Sequence, residues 1–438
     1  MPEQDYKPSL LSGVVDYREN PSPPTEWMDA YRRRGGYQTL ERALKTMTSE
    51  QVQETVKASG LRGRGGAGFP TAVKWNFLPE KSDRPIYLCC NADESEPGAC
   101  KDRPILEQRP HLLIEGMALA AYAINSHLAF VYIRGEYHRA IEVMTRAIEE
   151  GHQAGVLGPR VLGQDFALDI IVHSGAGAYI CGEESAMLSS IEGRVGWPRL
   201  RPPFPAQVGL YGCPTIINNV ETLASVTGIV ERGPAWFRSL GTEKSTGFKI
   251  YSVSGCVRRP GNYEAPMIIT LRQLIEDLAG GVRDGRALKA IIPGGSSVPV
   301  LPAVYLDVLM NFEGVQEAGS MLGTASVIVL DETVCMVWAV RNMSRFYKHE
   351  SCGQCTPCRL GTGWLFQIMD RIERGQGRME DLDVLRDITK KMYGRCICAL
   401  GDAACMPIDS GLKHFRQEFV QHIQEKRCPF EKPYLEFR

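Results

Sequence analysis

The sequence predicts an α/β domain built on a mostly parallel sheet, then an α+β module of β-grasp type and a C-terminal four-helix bundle. The first observation is that short apolar β-rich runs alternate with helical patterns between residues 86 and 172. The second is a change of pattern after Phe248, where strand-like runs enclose one short helix. The third is helical periodicity from Glu332 onward, interrupted by one cysteine-rich loop.

Composition limits the class of protein. The chain has 438 residues, with 50 Lys and Arg against 51 Asp and Glu, so its formal charge is −1. This balance argues against nucleic-acid binding, because no excess of cations is available to neutralise phosphates. No apolar run reaches the roughly 18 residues of a spanning helix, and Met1–Asp5 lack the basic and apolar regions of a secretory signal. We expect a cytoplasmic protein, with no direct membrane insertion, that reaches a membrane only through partners.

The α/β domain is predicted at residues 46–240, after an N-terminal arm at residues 1–45 with one short helix near Glu41–Lys45. Thr48 and Gln51 form a capping box before a helix that stops at Gly60. Strands and helices then alternate at Ile86–Cys90, Leu112–Ile124, Leu128–Ile133, Tyr137–Glu150 and Phe166–Val172. The proline-rich stretch Trp197–Pro214 predicts an ordered loop, and Asn218 or Asn219 caps a helix that runs to about Arg232.

The β-grasp module is predicted at residues 241–332 and the helical bundle at residues 333–438. In the module, strands are predicted at Lys249–Ser254, Ala290–Ile292 and Ser326–Leu330. Thr270 and Gln273 begin a short helix that ends at Gly280. The four helices of the bundle are predicted at Met336–Tyr347, Gly363–Arg374, Met379–Met392 and Gly411–Lys426.

Cysteine spacing carries the strongest chemical signal among the 14 cysteines. Cys352, Cys355 and Cys358 have the C-x₂-C-x₂-C spacing that holds three irons of a [4Fe–4S] cluster. Thr362 stands where a ferredoxin-type run would place the fourth thiolate, so that ligand must come from elsewhere. Its candidates are Cys396, Cys398 and Cys405. The alternative is structural zinc, which prefers two C-x₂-C pairs and would leave one cysteine spare.

Two glycine-rich loops predict a phosphate-bearing ligand. Gly63, Gly65 and Gly68 fit G-x-G-x-x-G, but a helix precedes them, so a standard Rossmann site is disfavoured. Glycine-rich backbone can still present N–H groups to a phosphate; Arg62, Arg64 and Lys74 would add positive charge. The second loop, residues 175–182, follows a predicted strand, as ligand loops of parallel sheets do. The alternative is a plain glycine-rich turn with solvated arginines.

Carboxylates and aromatic side chains surround these loops in the sequence. The carboxylates are Asp93, Glu94, Glu96, Glu183 and Glu184. They are too many for a phosphate site, so some should bond ribose hydroxyls or ring nitrogens. The aromatic residues that could stack on rings are Phe69, Phe77, Tyr179 and Phe204. Together they predict a large ligand with phosphate and aromatic parts.

Eight stretches of the sequence resemble one family. They are LRGRGGAGFPTAVKW, CNADESEPG, GAGAYICGEESA, RPPFPA, INNVETL, GSMLGT, ESCGQCTPCR and CALGDAA. The chain resembles the NADH-binding flavoprotein subunit (the F type) of respiratory NADH–quinone oxidoreductase, the bacterial complex I. The likeness runs in order from about Gly35 to about Arg427. It implies an FMN- and NADH-binding α/β domain, a β-grasp domain of the soluble-ligand-binding type and a four-helix bundle holding one [4Fe–4S] cluster.

The resemblance also implies residue roles. FMN contacts would come from Gly63, Arg64, Gly65, Gly66, Ala67, Lys74, Asn91, Asp93, Glu94, Gly182, Glu183, Asn218, Asn219 and Thr222. NADH contacts would come from Phe69, Lys74, Phe77, Glu96, Tyr179, Glu184, Arg201 and Phe204. The cluster ligands would be Cys352, Cys355, Cys358 and Cys398, with Cys396 and Cys405 as bystanders. No catalytic acid or base is assigned; Glu94 and Glu183 are the candidates.

The function implied by the resemblance is NADH oxidation by hydride transfer to FMN, followed by single-electron transfer to the cluster. The implied partners are a thioredoxin-like [2Fe–2S] subunit and a larger multi-cluster iron–sulfur subunit, with quinone reached only indirectly. The location would be cytoplasmic, at the inner face of the cell membrane. One alternative is the diaphorase flavin subunit of an NAD-linked hydrogenase or formate dehydrogenase. A second is a non-catalytic metal-binding scaffold.

Overall fold

The structure, a computed structural model, describes residues 6–430 and divides into two compact units. Among the described residues, unit 1 comprises residues 6–95, 99–251 and 262–268, and unit 2 comprises residues 96–98, 252–261 and 269–430. The first five residues of the predicted N-terminal arm and the last eight of the predicted bundle domain lie outside the described residues.

Unit 1 is built on a four-stranded sheet with the strand order β3-β2-β1-β4. Its strands are β1 (Tyr87–Ala92), β2 (Leu128–Ile133), β3 (Asp169–Ser174) and β4 (Thr215–Asn219). Every neighbouring pair is parallel, as the alternating pattern predicted. The central strands β1 and β2 are buried along most of their length, which matches their near-continuous apolar composition.

Within residues 6–430, ten α-helices belong to unit 1. They are α1 (Met28–Arg33), α2 (Gln38–Thr46), α3 (Ser49–Ser59), α4 (Thr71–Trp75), α5 (Asp102–Gln108), α6 (Pro110–Ala123), α7 (His138–Gln153), α8 (Glu184–Ile191), α9 (Val220–Arg232) and α10 (Pro234–Ser239). The capping box before α3 is confirmed: Thr48 Oγ1 accepts from Gln51 N, and Gln51 Oε1 accepts from Thr48 N. Helix α6 is buried on almost every face, so its Leu, Ile and Ala side chains form the centre of the core.

Strand β4 was not predicted from the sequence. Asn219 does cap α9, accepting from Glu221 N at 3.0 Å, but the five residues before the helix pair with β1. A short buried strand has no alternation of apolar and polar residues, so its pattern cannot be distinguished from a loop or helix start. Strand β3 also begins three residues later than predicted, at Asp169.

The chain passes from unit 1 into unit 2 within β5 (Phe248–Gly255) and returns within β6 (Gly261–Pro266). Unit 2 adds β7 (Leu288–Ile292), β8 (Leu301–Pro302), α11 (Phe312–Glu317) and β9 (Ser326–Asp331). In unit 2 the end of β5 lies parallel to β9, and β9 pairs antiparallel with β7. The predicted short helix at Thr270 appears as a π-helical turn at Gln273–Leu278.

The C-terminal helical region of unit 2 contains five helices within the described residues. They are α12 (Met336–Glu350), α13 (Thr356–Glu373), α14 (Glu380–Met392), α15 (Leu400–His414) and α16 (Arg416–Glu425). The single helix predicted at Gly411–Lys426 is divided at Phe415, whose φ of −125° is not helical. Among the helices of residues 6–430, none has the length and apolar composition to cross a membrane.

Candidate functional site

The sheet of unit 1 has a topological switch point between β1 and β4. From β1 the chain adds β2 and β3 on one side and then returns to place β4 on the other side. Asn91 of β1 pairs with Asn219 of β4, so both amides lie at the carboxyl ends of their strands. In open α/β sheets this crevice is where ligands bind.

The first glycine loop closes on itself and lies against this switch point. Gly63 N donates to Phe69 O at 2.8 Å, and Arg62 Nε donates to Gly68 O at 2.7 Å. Arg64 N donates to Thr222 Oγ1 at 2.8 Å. A Cβ on Gly65 would lie 3.0 Å from Asn219 Cβ. Glycine is therefore required at residue 65 for close approach of the loop to the start of α9.

Gly66 faces open space. Its φ is +142°, and a Cβ built there would meet nothing within 4 Å. The side chain of Arg64, in contrast, points into the interior: Nη2 donates to Thr246 O at 2.8 Å, and the guanidinium is buried. Burial lowers the pKa of Arg64. The loop thus offers backbone rather than the guanidinium of Arg64 to a ligand.

The second glycine loop joins the same edge. Asn91 Nδ2 donates to Gly182 O at 2.8 Å, and a Cβ on Gly182 would lie 3.4 Å from Asp93 Oδ2. Glu183 then caps α8, because its Oε2 accepts from Ser185 N and Ala186 N. The structure therefore brings the polar end of β1 together with the Gly182 end of the second glycine loop, which the sequence singled out.

Four charged side chains form an ion-pair chain beside this loop. Lys74 Nζ lies 2.7 Å from Glu184 Oε2, Arg201 Nη1 lies 3.1 Å from Glu184 Oε1, and Arg201 also bonds Glu183. The side chains are partly exposed. The pKa of Glu184 is lowered, since its two cations outweigh desolvation, the largest single influence, which acts to raise it. The structure thus makes direct neighbours of four predicted residues that come from separate motifs, namely Lys74, Glu183, Glu184 and Arg201.

Aromatic side chains lie exposed in unit 1. Phe69 and Phe77 are 46% and 51% exposed, and their ring centroids are 5.8 Å apart. Phe204 is 49% exposed. Clustered exposed apolar rings, such as the pair of Phe69 and Phe77, are typical of surfaces that bind a ligand or a partner. Tyr179 is half-buried in the turn Tyr179–Gly182.

The remaining carboxylates differ in their surroundings. Glu94 is buried and accepts from the N–H groups of Lys101, Asp102 and Arg103 at the start of α5. Desolvation raises the pKa of Glu94 to about 7. Asp93 Oδ1 accepts from Ser95 Oγ at 3.2 Å. Glu96 belongs to unit 2, where its Oε1 accepts from Ser297 N and Ser296 Oγ.

A cluster of buried charged side chains packs against the first glycine loop. The sequence patterns did not reveal this cluster. Lys101 Nζ lies 2.8 Å from Asp102 Oδ1 and 3.0 Å from Glu221 Oε2, and it donates to Asn219 Oδ1 at 3.0 Å. Lys249 Nζ donates to Arg64 O at 3.1 Å and lies 3.5 Å from Glu221 Oε2. These residues are far apart in the sequence, so no local pattern could indicate the cluster. Its hydrogen bonds hold Arg64 of the glycine loop and Asn219 at the start of α9.

The cluster predicts a pH-dependent stability. Desolvation lowers the pKa of Lys249 to about 7, whereas an unfolded lysine keeps its proton to about pH 10.4. Between about pH 7 and pH 10.4, the lysine is protonated in the unfolded state but largely neutral in the folded state. The unfolding free energy therefore rises with pH across this range, and the gain from Lys249 is lost as the pH falls towards 7. In the wild type, this group should raise the unfolding free energy by up to about 1.4 kcal/mol for each pH unit above 7. We expect this rise to be absent in Lys249→Met. Urea unfolding between about pH 7 and 9 measures it.

The control is Lys57→Met, because Lys57 is half-exposed and pairs with exposed Glu54. Its unfolding free energy should follow the wild-type pH dependence. Parallel curves for Lys249→Met and the wild type would contradict the assignment.

The cysteines lie where two interhelical loops of unit 2 meet. Cys352 and Cys355 are half-buried in the loop before α13, and Cys358 is buried in its first turn. Cys396, in the loop before α15, donates from Sγ to Met392 O at 3.6 Å, and a Cβ on Gly401 would lie 2.3 Å from Cys396 Sγ and 3.8 Å from Cys358 Cβ. The neighbouring Cys396 thiol lowers the pKa of Cys358 to about 7. Cys398 is half-buried in the same loop and Cys405 is buried in α15. This set of thiols suits iron or zinc rather than a hard cation.

A phosphate cradle at a switch point, with exposed rings beside it, defines one class of protein when a thiol cluster is present in the same chain: a flavin- and iron–sulfur-dependent oxidoreductase subunit. Family comparison agrees. Residues 56–228 match the Nuo51 FMN-binding domain, residues 249–329 the SLBB domain and residues 338–422 the NADH-ubiquinone oxidoreductase-F iron-sulfur binding region.

The relatives identify the family. The chain is 54% identical to an F subunit of the NADH-quinone oxidoreductase of Rhizobium meliloti, over 97% of this chain and 100% of that protein. It is 56% identical to the corresponding F subunit of Mycobacterium bovis, over 92% of this chain and 90% of that protein. The chain belongs to the family of F subunits of NADH-quinone oxidoreductase. It is thus an NADH dehydrogenase component with an FMN domain and an iron–sulfur region, and it is part of a larger complex.

A solved structure has the same fold. It is the NAD+-reducing [NiFe]-hydrogenase in the H2-reduced state, with a TM-score of 0.79 and 38% identity over 90% of this chain and 67% of that chain. The air-oxidized state gives a TM-score of 0.77 and 37% identity, with the same coverage. The predicted fold class, with its parallel α/β domain, β-grasp module and C-terminal iron–sulfur helical region, is confirmed.

Proposed function

We propose that this chain is the electron-input component of an NADH-quinone oxidoreductase and that its switch-point crevice is the flavin site. The observation that carries the proposal is the convergence of the first glycine loop, Asn91 and Asn219 at the carboxyl ends of β1 and β4. FMN suits this crevice, because the open space at Gly66 lets backbone N–H groups approach a phosphate. FMN, when bound, would accept a hydride from NADH and release the electrons singly to a one-electron acceptor.

Four groups of residues in the crevice would hold FMN. The loop backbone of residues 63–67 and Lys74 would bind one side, Asn91, Asp93 and Glu94 the strand end, and Gly182 and Glu183 the second loop. Asn218, Asn219 and Thr222 would complete the site at the start of α9. Glu94 and Glu183 already accept backbone N–H groups, so we assign them to positioning rather than proton transfer.

NADH would bind beside the flavin against the exposed aromatic side chains. The residues proposed for it are Phe69, Lys74, Phe77, Glu96, Tyr179, Glu184, Arg201 and Phe204. Exposed faces of Phe69, Phe77 and Phe204 could cover the adenine. Lys74 and Arg201 each bond Glu184, so they hold that carboxylate in one position for a ribose hydroxyl.

A [4Fe–4S] cluster would be held by Cys352, Cys355, Cys358 and Cys398. The loop before α13 and the loop before α15 both supply thiols, and thiolates are the usual ligands of a cubane cluster. The proximity of Cys396 Sγ to Cys358 beside Gly401 makes Cys396 a competitor for the fourth position. The proposed domain limits remain 1–45, 46–240, 241–332 and 333–438.

The proposed partners are a thioredoxin-like [2Fe–2S] subunit and a multi-cluster iron–sulfur subunit, because a chain with one cluster must pass its electrons on. Its proposed place is the cytoplasmic face of the cell membrane, within the complex. A second candidate is the diaphorase subunit of an NAD-linked hydrogenase, which the likeness to a solved hydrogenase chain favours. The chain spans 67% of that hydrogenase chain but 90–100% of the two quinone oxidoreductase relatives, so we rank the quinone oxidoreductase first.

The experiment that tests the function is an anaerobic titration of the purified protein with NADH. We expect NADH to bleach the flavin absorption band and to produce the electron paramagnetic resonance signal of a reduced cluster. A folded, metal-containing protein that retains no flavin under any condition would contradict the enzymatic function and favour a metal-binding scaffold.

Gly66→Ala tests the flavin loop. The added Cβ meets no protein atom within 4 Å, so a loss of FMN must come from the ligand or from backbone strain at positive φ. We expect FMN affinity to fall at least about tenfold, about 1.4 kcal/mol. Fluorescence titration of the flavin-depleted protein measures it.

Gly155→Ala is the matched control, because Gly155 also has a positive φ, +70°, and open space around it. Gly155 follows helix α7 and lies outside both glycine loops. Its variant therefore shows the effect of backbone strain without any contact to the ligand. Equal loss of FMN in both variants would contradict the assignment of the loop.

A further inference from the structure

A second group of potential metal ligands lies in unit 2, outside the cysteine loops. Cys335, Glu373, His422 and Cys428 each offer one ligand atom, and these atoms all lie within 4.8 Å of one another. Cys335 Sγ is 3.3 Å from His422 Nε2 and 3.9 Å from Glu373 Oε2, and His422 Nε2 is 3.5 Å from that oxygen. Ligand atoms of a tetrahedral zinc ion lie about 3.3–3.8 Å apart. The group is therefore close to tetrahedral spacing.

His422 is oriented as a metal ligand. Its Nδ1 lies 2.6 Å from Glu418 O, one turn earlier in α16, so the Nδ1–H donates to that carbonyl. The lone pair of Nε2 then faces Cys335 and Glu373. Metal-binding histidines are usually fixed by such a bond from the other ring nitrogen.

A cation lies next to the group. Lys289 Nζ donates to Val334 O at 2.6 Å, lies 3.0 Å from Glu418 Oε1 and stands 4.3 Å from the centroid of Phe430. The ring of Phe430 stacks near that of His422. Two thiolates and one carboxylate around a divalent ion leave one negative charge. Lys289 is bonded to the carbonyl of the residue before Cys335 and can offset part of that charge, although it also pairs with Glu418.

We propose that Cys335, Glu373, His422 and Cys428 form a structural zinc site, distinct from the iron–sulfur cluster. Two sulfurs, one imidazole and one carboxylate are ligands that zinc accepts in tetrahedral geometry. Four protein ligands leave no open position, as in structural rather than catalytic sites. Three of the four residues are buried and Cys428 is half-buried.

The site would tie together four separate parts of the helical region. Cys335 caps the start of α12, Glu373 ends α13, His422 lies in α16, and Cys428 follows α16. Binding would release the two thiol protons to solvent and form two zinc–sulfur bonds, with no change of oxidation state. The last described segment would then be held to the bundle by metal bonds in addition to packing.

The test is metal analysis of the protein purified with its FMN and cluster, after dialysis against a chelator. We expect about one zinc per chain besides the cluster iron. Zinc-edge X-ray absorption should show two sulfurs at about 2.3 Å and two nitrogen or oxygen atoms at about 2.0–2.1 Å. Zinc trapped in the cluster site would instead show sulfur ligands only, and that result would overturn the proposal.

Variants locate the metal. Cys428→Ser and His422→Gln should each lower zinc content at least about fivefold while iron stays unchanged. Cys256→Ser, which changes another buried cysteine of unit 2, should keep the zinc. Cys428 is half-buried, so its replacement is the variant with the smaller risk to folding. Unchanged zinc in Cys428→Ser, or a Cys335–Cys428 disulfide found by alkylation and mass spectrometry, would overturn the site.

Discussion

Replacing Cys358 by alanine should remove the iron–sulfur cluster and with it electron transfer to quinone. Cys358 is buried in the first turn of α13, and its thiol is 3.2 Å from Ser351 Oγ. Without it, one iron lacks its thiolate. In the assembled complex we expect a loss of about four irons per chain and at least about a 100-fold fall in NADH-driven quinone reduction. Iron analysis and paramagnetic resonance measure the first effect, and a quinone assay the second.

The same variant should still oxidise NADH when an artificial acceptor takes electrons directly at the flavin. Cys405→Ala is the control for folding, because Cys405 is a buried cysteine of α15 that we expect to be a bystander. Comparing Cys398→Ser with Cys396→Ser identifies the fourth ligand. We expect cluster loss only in Cys398→Ser. Cluster loss in Cys396→Ser alone would assign the ligand to Cys396, and a full cluster in Cys358→Ala would contradict the site.

Replacing Gly116 by alanine should destabilise unit 1 more than Gly66→Ala or Gly155→Ala does. Gly116 lies in α6, where an added Cβ would be 2.1 Å from Leu223 O of α9 and 2.8 Å from Leu223 C. Backbone atoms cannot rotate away, so the two helices would have to separate. Such overpacking typically lowers the unfolding free energy by about 1–3 kcal/mol. We expect about 3 kcal/mol here, because the added Cβ would overlap backbone atoms. Urea unfolding measures it.

The variant should also weaken FMN binding, because α9 carries Asn219 and Thr222 at its start. Gly228→Ala is the matched control in α9: its Cβ would meet only side-chain atoms, the nearest being Trp236 Cη2 at 3.3 Å. We expect that control to cost less than about 1 kcal/mol. If Gly116→Ala were as stable as Gly228→Ala, the close helix contact would be wrong.

The local elements of the fold were largely predictable from the sequence. Thr48 and Gln51 act within one turn, and Leu128–Ile133 is a β-rich run bounded by turn residues; both predictions are confirmed. Strand β4 was missed because a buried five-residue strand carries no periodicity. The break at Phe415 was missed because apolar spacing continues across it, and its non-helical backbone depends on tertiary packing.

The candidate site was only partly predictable. Motifs named the loops that meet at the switch point, because loops after parallel strands share one edge. They could not show that the Arg64 side chain turns inward or that Lys101 and Lys249 support the loop, since burial of charge depends on partners distant in the sequence. Spacing also did not bring Cys396 next to Cys358, because interhelical contact is set by packing.

The ion-pair chain of Lys74, Glu184, Arg201 and Glu183 has a consequence for how a dinucleotide arrives. Two cations and two carboxylates lie in direct contact, so their fields cancel beyond roughly a Debye length, about 8–10 Å. The chain as a whole carries a formal charge of only −1. A dinucleotide would therefore approach by unsteered diffusion, at a rate that varies little with ionic strength. Selection among cofactors would occur at contact, after the encounter.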